Sequence, residues 1–221
     1  DGQEDHVNEI TKASEHLLLL INEVLDLARI EAGRIELSME NVAFYHVLKE
    51  AIHLMVPLSI KKGIEILIVN EGKSINEDLL QINKVNVFSD NTRLKQVLLN
   101  LLSNALKYNR RDGKITIDCK VVSEKVFRIE ITDTGEGLSK EQQEHLFKPF
   151  VRISNNQDEM EGTGIGLVIT KKLIELMDGS IGCTSTVGSG STFWLEIPLG
   201  QDEQCHKEIN DEILLSAPSA K

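Results

Sequence analysis

What most constrains this chain is where its hydrophobic period changes. Residues 5 to 32 carry Ile10, Ala13, Leu17, Leu20, Val24 and Leu27 at alternating steps of three and four, the signature of a helix. Ile21, Leu25 and Ala28 widen that stripe beyond what one face lying on a globular domain needs. The spacing predicts a helix that packs into a bundle, with a second chain as partner, and Gly33 is placed to end it. From Lys114 the period drops to two. Ile115, Ile117, Cys119 and Val121 alternate with polar residues, and Phe127, Ile129 and Ile131 alternate with Arg128 and Glu130.

Between and after these segments the same reading finds further elements. A short strand is expected over 34 to 40, with Asn41 capping a second helix that carries Phe44, Val47, Leu48, Ala51, Ile52 and Met55. Strands are expected at 64 to 69 and 85 to 88. Asp90 then caps a third helix running to about Tyr108, with Leu94, Val97, Leu98, Leu101, Leu102 and Ala105 on its core face. A last helix spans about 165 to 178. A hairpin of 180 to 187 and 191 to 198, turned at Gly188-Ser-Gly190, closes the fold. This order lacks the strict strand–helix alternation of a doubly wound sheet. It predicts an α+β fold: a two-layer sandwich with a mixed, mostly antiparallel sheet covered by helices on one face, preceded by a long bundle-forming helix. The expected divisions are 1–36, 37–199 and a polar linker or tail at 200–221 that ends in Ser-Ala-Pro-Ser-Ala-Lys.

Composition narrows the function classes. The chain has 221 residues and a net charge of −11, which disfavours nonspecific nucleic-acid binding. Hydrophobic residues make up 41%, enough for a core. Cys119, Cys183 and Cys205 lie far apart and form neither a disulfide framework nor a cysteine zinc site, so a reducing, cytoplasmic setting is expected. Cys119 falls in strand register and is expected to be a small buried hydrophobe. The longest strongly apolar run, Leu17 to Ile21, is too short to span a bilayer, and no signal peptide is visible. With Asp at position 1, the chain reads as a piece of something longer or as a processed chain.

Three segments carry chemistry. On the third helix, Asn100, Asn104, Lys107 and Tyr108 share one side, at about 100° per residue, opposite the leucines. Asn is a poor mid-helix residue, so a pair at i, i+4 costs stability without structural return. Asn also offers a neutral oxygen suited to Mg²⁺, and Lys a compact charge suited to phosphate. An ordinary solvated face is the competing account. After the second long strand comes Asp133-Thr-Gly135-Glu-Gly137, where glycines permit positive φ and close backbone approach. A plain turn would also explain it. Gly162-Thr163-Gly164-Ile165-Gly166-Leu167 then opens a helix, whose N-terminal N–H groups suit phosphate. Neither loop fits a dinucleotide fingerprint or a P-loop.

Taken together and in this order, these segments resemble the sensor histidine kinases, within the ATP-binding family shared with gyrase, the Hsp90 chaperones and MutL. The resemblance covers residues from about 5 to 199. Residues 100 to 108 look like the N box, Asp133 to Gly137 the G1 box, Phe147-Lys-Pro-Phe150 the F box and Gly162 to Leu167 the G2 box. Gly188 to Phe193 resembles the closing glycine-rich segment, which includes Thr192. Residues 6 to 36 resemble the second helix of the dimerisation and phosphotransfer hairpin.

The resemblance implies ATP and Mg²⁺ as ligands. Asn104 would bind the metal, with Asn100 assisting. Lys107 would contact phosphate, and Tyr108 would lie against the nucleotide. Asp133 would accept a hydrogen bond from the adenine amino group, where guanine has a repelling carbonyl. Gly164 and Gly166 would let the backbone close on the phosphates. Arg152 would stabilise the γ-phosphate in the transition state. Residues 154 to 161 would form a mobile lid, with Phe147 and Phe150 anchoring its base.

Hydrolytic relatives carry Glu where this chain has Asn100, which cannot take a proton; the site therefore suits transfer to an imidazole better than hydrolysis. The family's acceptor His is followed by an acidic residue and, five positions on, by Pro. None of the six histidines, at 6, 16, 46, 53, 145 and 206, meets that pattern. The resemblance thus implies the catalytic half of a histidine kinase acting on a His outside this sequence. It also implies a homodimer through residues 5 to 32, a response-regulator receiver domain as partner, and a parent that membrane attachment would suit. A nucleotide-binding or dimerising interaction module without kinase activity is the alternative.

Overall fold

The computed structural model describes residues 2–70, 73–74, 85–151 and 163–200. Five helices and eight strands occur among them: α1 (Gly2–Glu31), β1 (Glu40–Ala43), α2 (Phe44–Lys62), β2 (Glu65–Asn70), β3 (Lys73–Ser74), β4 (Asn86–Ser89), α3 (Asn91–Lys107), β5 (Lys114–Ser123), β6 (Val126–Asp133), α4 (Lys140–His145), α5 (Gly166–Leu176), β7 (Ser180–Thr186) and β8 (Gly190–Pro198).

The main sheet has six strands in the order β3-β2-β5-β6-β8-β7. Only the β2–β5 pair is parallel. A parallel neighbour demands a crossover, and the chain between β2 and β5 contains α3, which packs on one face of the sheet. β1 and β4 form a separate antiparallel pair. The expected two-layer α+β sandwich is what forms. Ile115, Ile117, Cys119, Phe127, Ile129, Ile131, Leu195 and Ile197 line the covered face, and Leu94, Val97, Leu98, Leu101 and Leu102 meet it from above. Cys119 is 1% exposed, and its thiol is pushed well above the usual range by burial and then by the charge of Asp118.

Several boundaries differ from the sequence reading. Residues 34–39 are not a strand; pairing starts only at Glu40, where β4 supplies a partner. Asn41 lies inside β1 and does not cap α2, whose N-cap is Ala43. A strand needs a hydrogen-bonding neighbour, and that neighbour is nearly fifty residues away. Asp90 does cap α3, accepting from Arg93 N at 3.0 Å, and its other oxygen accepts from Ser38 N at 2.9 Å. The segment 138–146 contains a helix the periodicity did not reveal. It is announced by a capping box, in which Ser139 and Gln142 exchange hydrogen bonds.

The long helix α1 ends at Glu31, with Gly33 at φ +63°. It divides into two regimes. Leu27 and Ile30 are buried in the same core as the sheet and α5. Val7, Ile10, Leu17, Leu18, Ile21, Val24 and Leu25 are exposed.

Candidate functional site

Helix α3 forms because its core face is nearly all leucine and valine and because Asp90 satisfies its first turn. Its other end is held too: Lys62 Nζ donates to the carbonyls of Leu106 (3.1 Å) and Lys107 (3.3 Å), a cation placed on otherwise unpaired acceptors. That end carries the candidate polar face. Asn100, Asn104 and Lys107 are half-buried, while Tyr108 is exposed. The Lys107 ammonium stands 4.9 Å from the centre of the Tyr108 ring.

Asp133 ends β6 on the covered face, 5% exposed. Its Oδ1 accepts from Gly135 N at 2.8 Å and Ser191 N at 3.2 Å. Among the described residues no hydrogen bond reaches Oδ2. Burial raises the Asp133 carboxyl above the usual range, and the backbone N–H groups of Gly135, Ser191 and Asp133 itself only partly offset that. Cys183 lies near it; burial, and next the charge of Asp133, push that thiol up to about 12.

The glycines after Asp133 are used against the chain itself. A Cβ on Gly135 would stand 2.1 Å from the Tyr108 carbonyl oxygen, and one on Gly137 (φ +69°) 2.0 Å from that of Thr186. They seal the loop onto α3 and the β7–β8 turn. Gly190 does the same from the other side, 2.0 Å from the Asp133 carbonyl oxygen. Behind this seal, Ser185 Oγ accepts from Leu138 N at 2.7 Å and lies 2.9 Å from both Gly190 O and Ser191 Oγ. Gln143 of α4 ties Leu138 O to Ser185 O at 3.0 Å each.

The second glycine segment opens α5, which packs on α3 with Gly166 against Asn100. Gly164 adopts φ +72°, its carbonyl accepting from Phe150 N at 3.1 Å. Ile165 is fully buried, and its N–H donates to Thr163 Oγ1 at 3.1 Å. Helix α5 starts at Gly166-Leu167, and among the described residues its N-cap, Ile165, makes no side-chain cap hydrogen bond. Thr163 Oγ1 also donates to Glu23 of α1, and Gln96 of α3 reaches Asp26 at 3.4 Å. The root of the long helix thus touches the loop that opens α5.

Two further residues of the sequence reading have definite places in the fold. Thr192 lies on the opposite face of the sheet from Asp133: it pairs with Thr132, their hydroxyls 2.9 Å apart, alongside Trp194 and Glu196. Strand alternation puts Ser191, not Thr192, beside Asp133, and counting back two from the core residue Phe193 would have found it. Phe150 is 67% exposed at φ +63°, and the segment whose base it is expected to anchor lies outside the described residues; Phe147 is partly buried with Lys171 over its ring at 5.3 Å. Arg152, Gly162 and the lid expected at 154–161 lie outside the described residues, as do Cys205 and His206.

Residues 89–201 match the family model described as "Histidine kinase-, DNA gyrase B-, and HSP90-like ATPase". The chain belongs to this ATPase family. Its relatives within it are sensor histidine kinases. Sensor histidine kinase GacS of Pseudomonas protegens is 36% identical over 202 residues, covering 89% of this chain and 21% of that protein. Among solved structures, full-length ShkA in complex with AMPPNP superposes with a TM-score of 0.75 at 30% identity, over 91% of this chain and 40% of that one. Histidine kinase ThkA in complex with response regulator protein TrrA gives a TM-score of 0.66 at 26% identity, over 90% and 52%. The chain spans between a fifth and a quarter of the length of curated relatives it matches, 21% to 25%. Among the described residues no helix is long and apolar enough to cross a membrane.

Proposed function

We propose that this chain is the nucleotide-binding catalytic part of a sensor histidine kinase, transferring the γ-phosphoryl group of Mg-ATP to a histidine that is not among its own six. The observation that carries the reading is Asp133, a buried carboxylate with one oxygen held by two backbone N–H groups and the other unpaired among the described residues. An acceptor so presented suits the adenine amino group. The first turn of α5, opened by Gly164 and Gly166 and without a side-chain cap from Ile165, suits the phosphates. The half-buried Asn104 on the facing helix fits a hard cation, with Asn100 beside it. Magnesium held there by Asn104 would supply charge neutralisation on the phosphate chain.

The chain's own groups then divide the work. Asp133 selects the base. Tyr108 gives an exposed ring to lie against it. The Lys107 ammonium and the α5 backbone hold phosphate oxygens. The family resemblance gives the γ-phosphate to Arg152, which lies outside the described residues. In the transfer, the acceptor imidazole nitrogen bonds to the γ-phosphorus as the bond to the β–γ bridging oxygen breaks, and ADP leaves. A neutral imidazole supplies its own electron pair, so the amide at Asn100 in place of a proton acceptor is no handicap. The phosphoryl group's onward partner is a response-regulator receiver domain, a reading the ThkA–TrrA complex supports. The exposed apolar side of α1 supports a homodimer.

Incubation with γ-labelled ATP is expected to leave the isolated chain unlabelled and to label, acid-labilely, an added hairpin carrying the acceptor motif. Strong acid-labile labelling of the chain alone would overturn the claim that none of its own six histidines is the acceptor. No labelling in either mixture would favour a nucleotide-binding interaction module. In calorimetric titration, Asn104→Ala is expected to remove the magnesium dependence of ATP binding; an unchanged dependence would reject the metal assignment.

A further inference from the structure

The amide of Asn100 joins α3 to α5. Its Nδ2 donates to Thr170 Oγ1 at 2.7 Å, a contact between residues seventy apart in sequence. Thr170 is on α5, one turn beyond Gly166, and is 2% exposed. The other end of the amide faces Gly166, where a Cβ would stand 2.8 Å from Oδ1. The first turn of α5 therefore rests directly on a side chain of α3, and glycine at 166 is what permits that approach.

Thr170 stands among Val168, Ile169, Leu173 and Ile174, all buried and apolar. A hydroxyl and an amide in such a seam cost desolvation unless they meet each other. Their bond forms at one separation of the two helices and is lost at others. On α3, one turn past Asn100, is Asn104; on α5, one turn before Thr170, is the N-terminus that opens the helix. We propose that Thr170 is a positioning residue: through Asn100 it sets the gap between the Asn104 face of α3 and the first turn of α5. This rests on the nucleotide-binding reading above. It separates two halves of binding, because Asp133 is held by Gly135 and Ser191, not by α5. The tether acts on phosphate, not on base.

The test uses the whole 221-residue chain in titrations with adenosine and, with Mg²⁺, AMPPNP. Thr170→Val, isosteric but without the hydroxyl, is expected to weaken AMPPNP about tenfold, the upper range for one such hydrogen bond. Adenosine affinity should change less than about twofold, and Thr170→Ser should restore AMPPNP binding. Thr170→Ala gives the same loss in case the valine crowds Asn100. The Asn100→Ala/Thr170→Val pair should bind no worse than Asn100→Ala alone, because both remove one contact. Equal weakening of both ligands would reduce Thr170 to a packing residue and overturn the inference. So would unaltered AMPPNP affinity, or additive losses. Failure of the wild-type chain to bind either ligand would instead sink the nucleotide reading, and the tether with it.

Discussion

At the scale of residues, Asp133 shows how a carboxylate is tuned by its backbone. Burial favours its protonated form, and two N–H groups on one oxygen favour its charged form; burial prevails. The consequence for stability has a definite sign. A carboxyl whose folded pKa is raised binds its proton more tightly in the native state, so its contribution is greatest below the ordinary carboxylate range. That contribution declines as pH rises through the raised value. Asp133→Asn is expected to flatten that part of the curve of melting temperature against pH. The same substitution should cost ATP at least about tenfold in affinity, since an amide NH₂ cannot accept from the adenine amino group. A melting curve with the same pH slope as wild type would contradict the assignment of the titrating group.

At the scale of elements, α3 is both a wall of the core and a bearer of the site. Its leucines hold it to the sheet, its N-terminus is capped by Asp90, and its C-terminal carbonyls are met by Lys62. Leu98 is one of its fully buried core residues. Leu98→Ala is expected to destabilise the fold by about 3 kcal/mol through lost burial and a residual cavity. Denaturant unfolding followed by fluorescence measures it. The single tryptophan, Trp194, sits on the outer face of β8 against Gly182 and 4.5 Å from the Arg128 guanidinium, and so reports on the sheet. That guanidinium joins Glu130 and Glu196. Although burial opposes ionisation, Arg128 and Lys120 together hold the Glu130 carboxyl below its usual range.

For the whole molecule, the long helix and the sandwich are not independent. Leu27 and Ile30 share the core, and Glu23 meets Thr163 at the loop opening α5. Farther toward the N-terminus the same helix leaves Leu17, Leu18, Ile21, Val24 and Leu25 exposed, a patch that folding alone does not bury. Sedimentation is expected to find a dimer. Leu18→Lys with Leu25→Lys should give a monomer with an unshifted far-UV spectrum, because neither side chain belongs to the sandwich core. A dimer that survives both lysines would place the interface elsewhere.

Much of this was legible in the residue order. Hydrophobic period is a local property, so α3, β5, β6, α5 and the closing hairpin could be read directly, as could the cap at Asp90 and the glycine turns. The motif face of α3 follows from helical geometry alone. What the order could not contain is contact between distant residues. Strand β1 exists because β4 pairs with it, so it starts at Glu40 rather than 34, and Asn41 lies within the strand rather than at a helix cap. Thr192 falls away from Asp133 because the sheet register, set by packing of Phe193 and Ile131, sends it to the other face. Gly135, Gly137 and Gly166 are glycines because a carbonyl or an amide from another element already occupies the space of a side chain. Periodicity tells which residues turn inward; only the closed structure tells what they meet there.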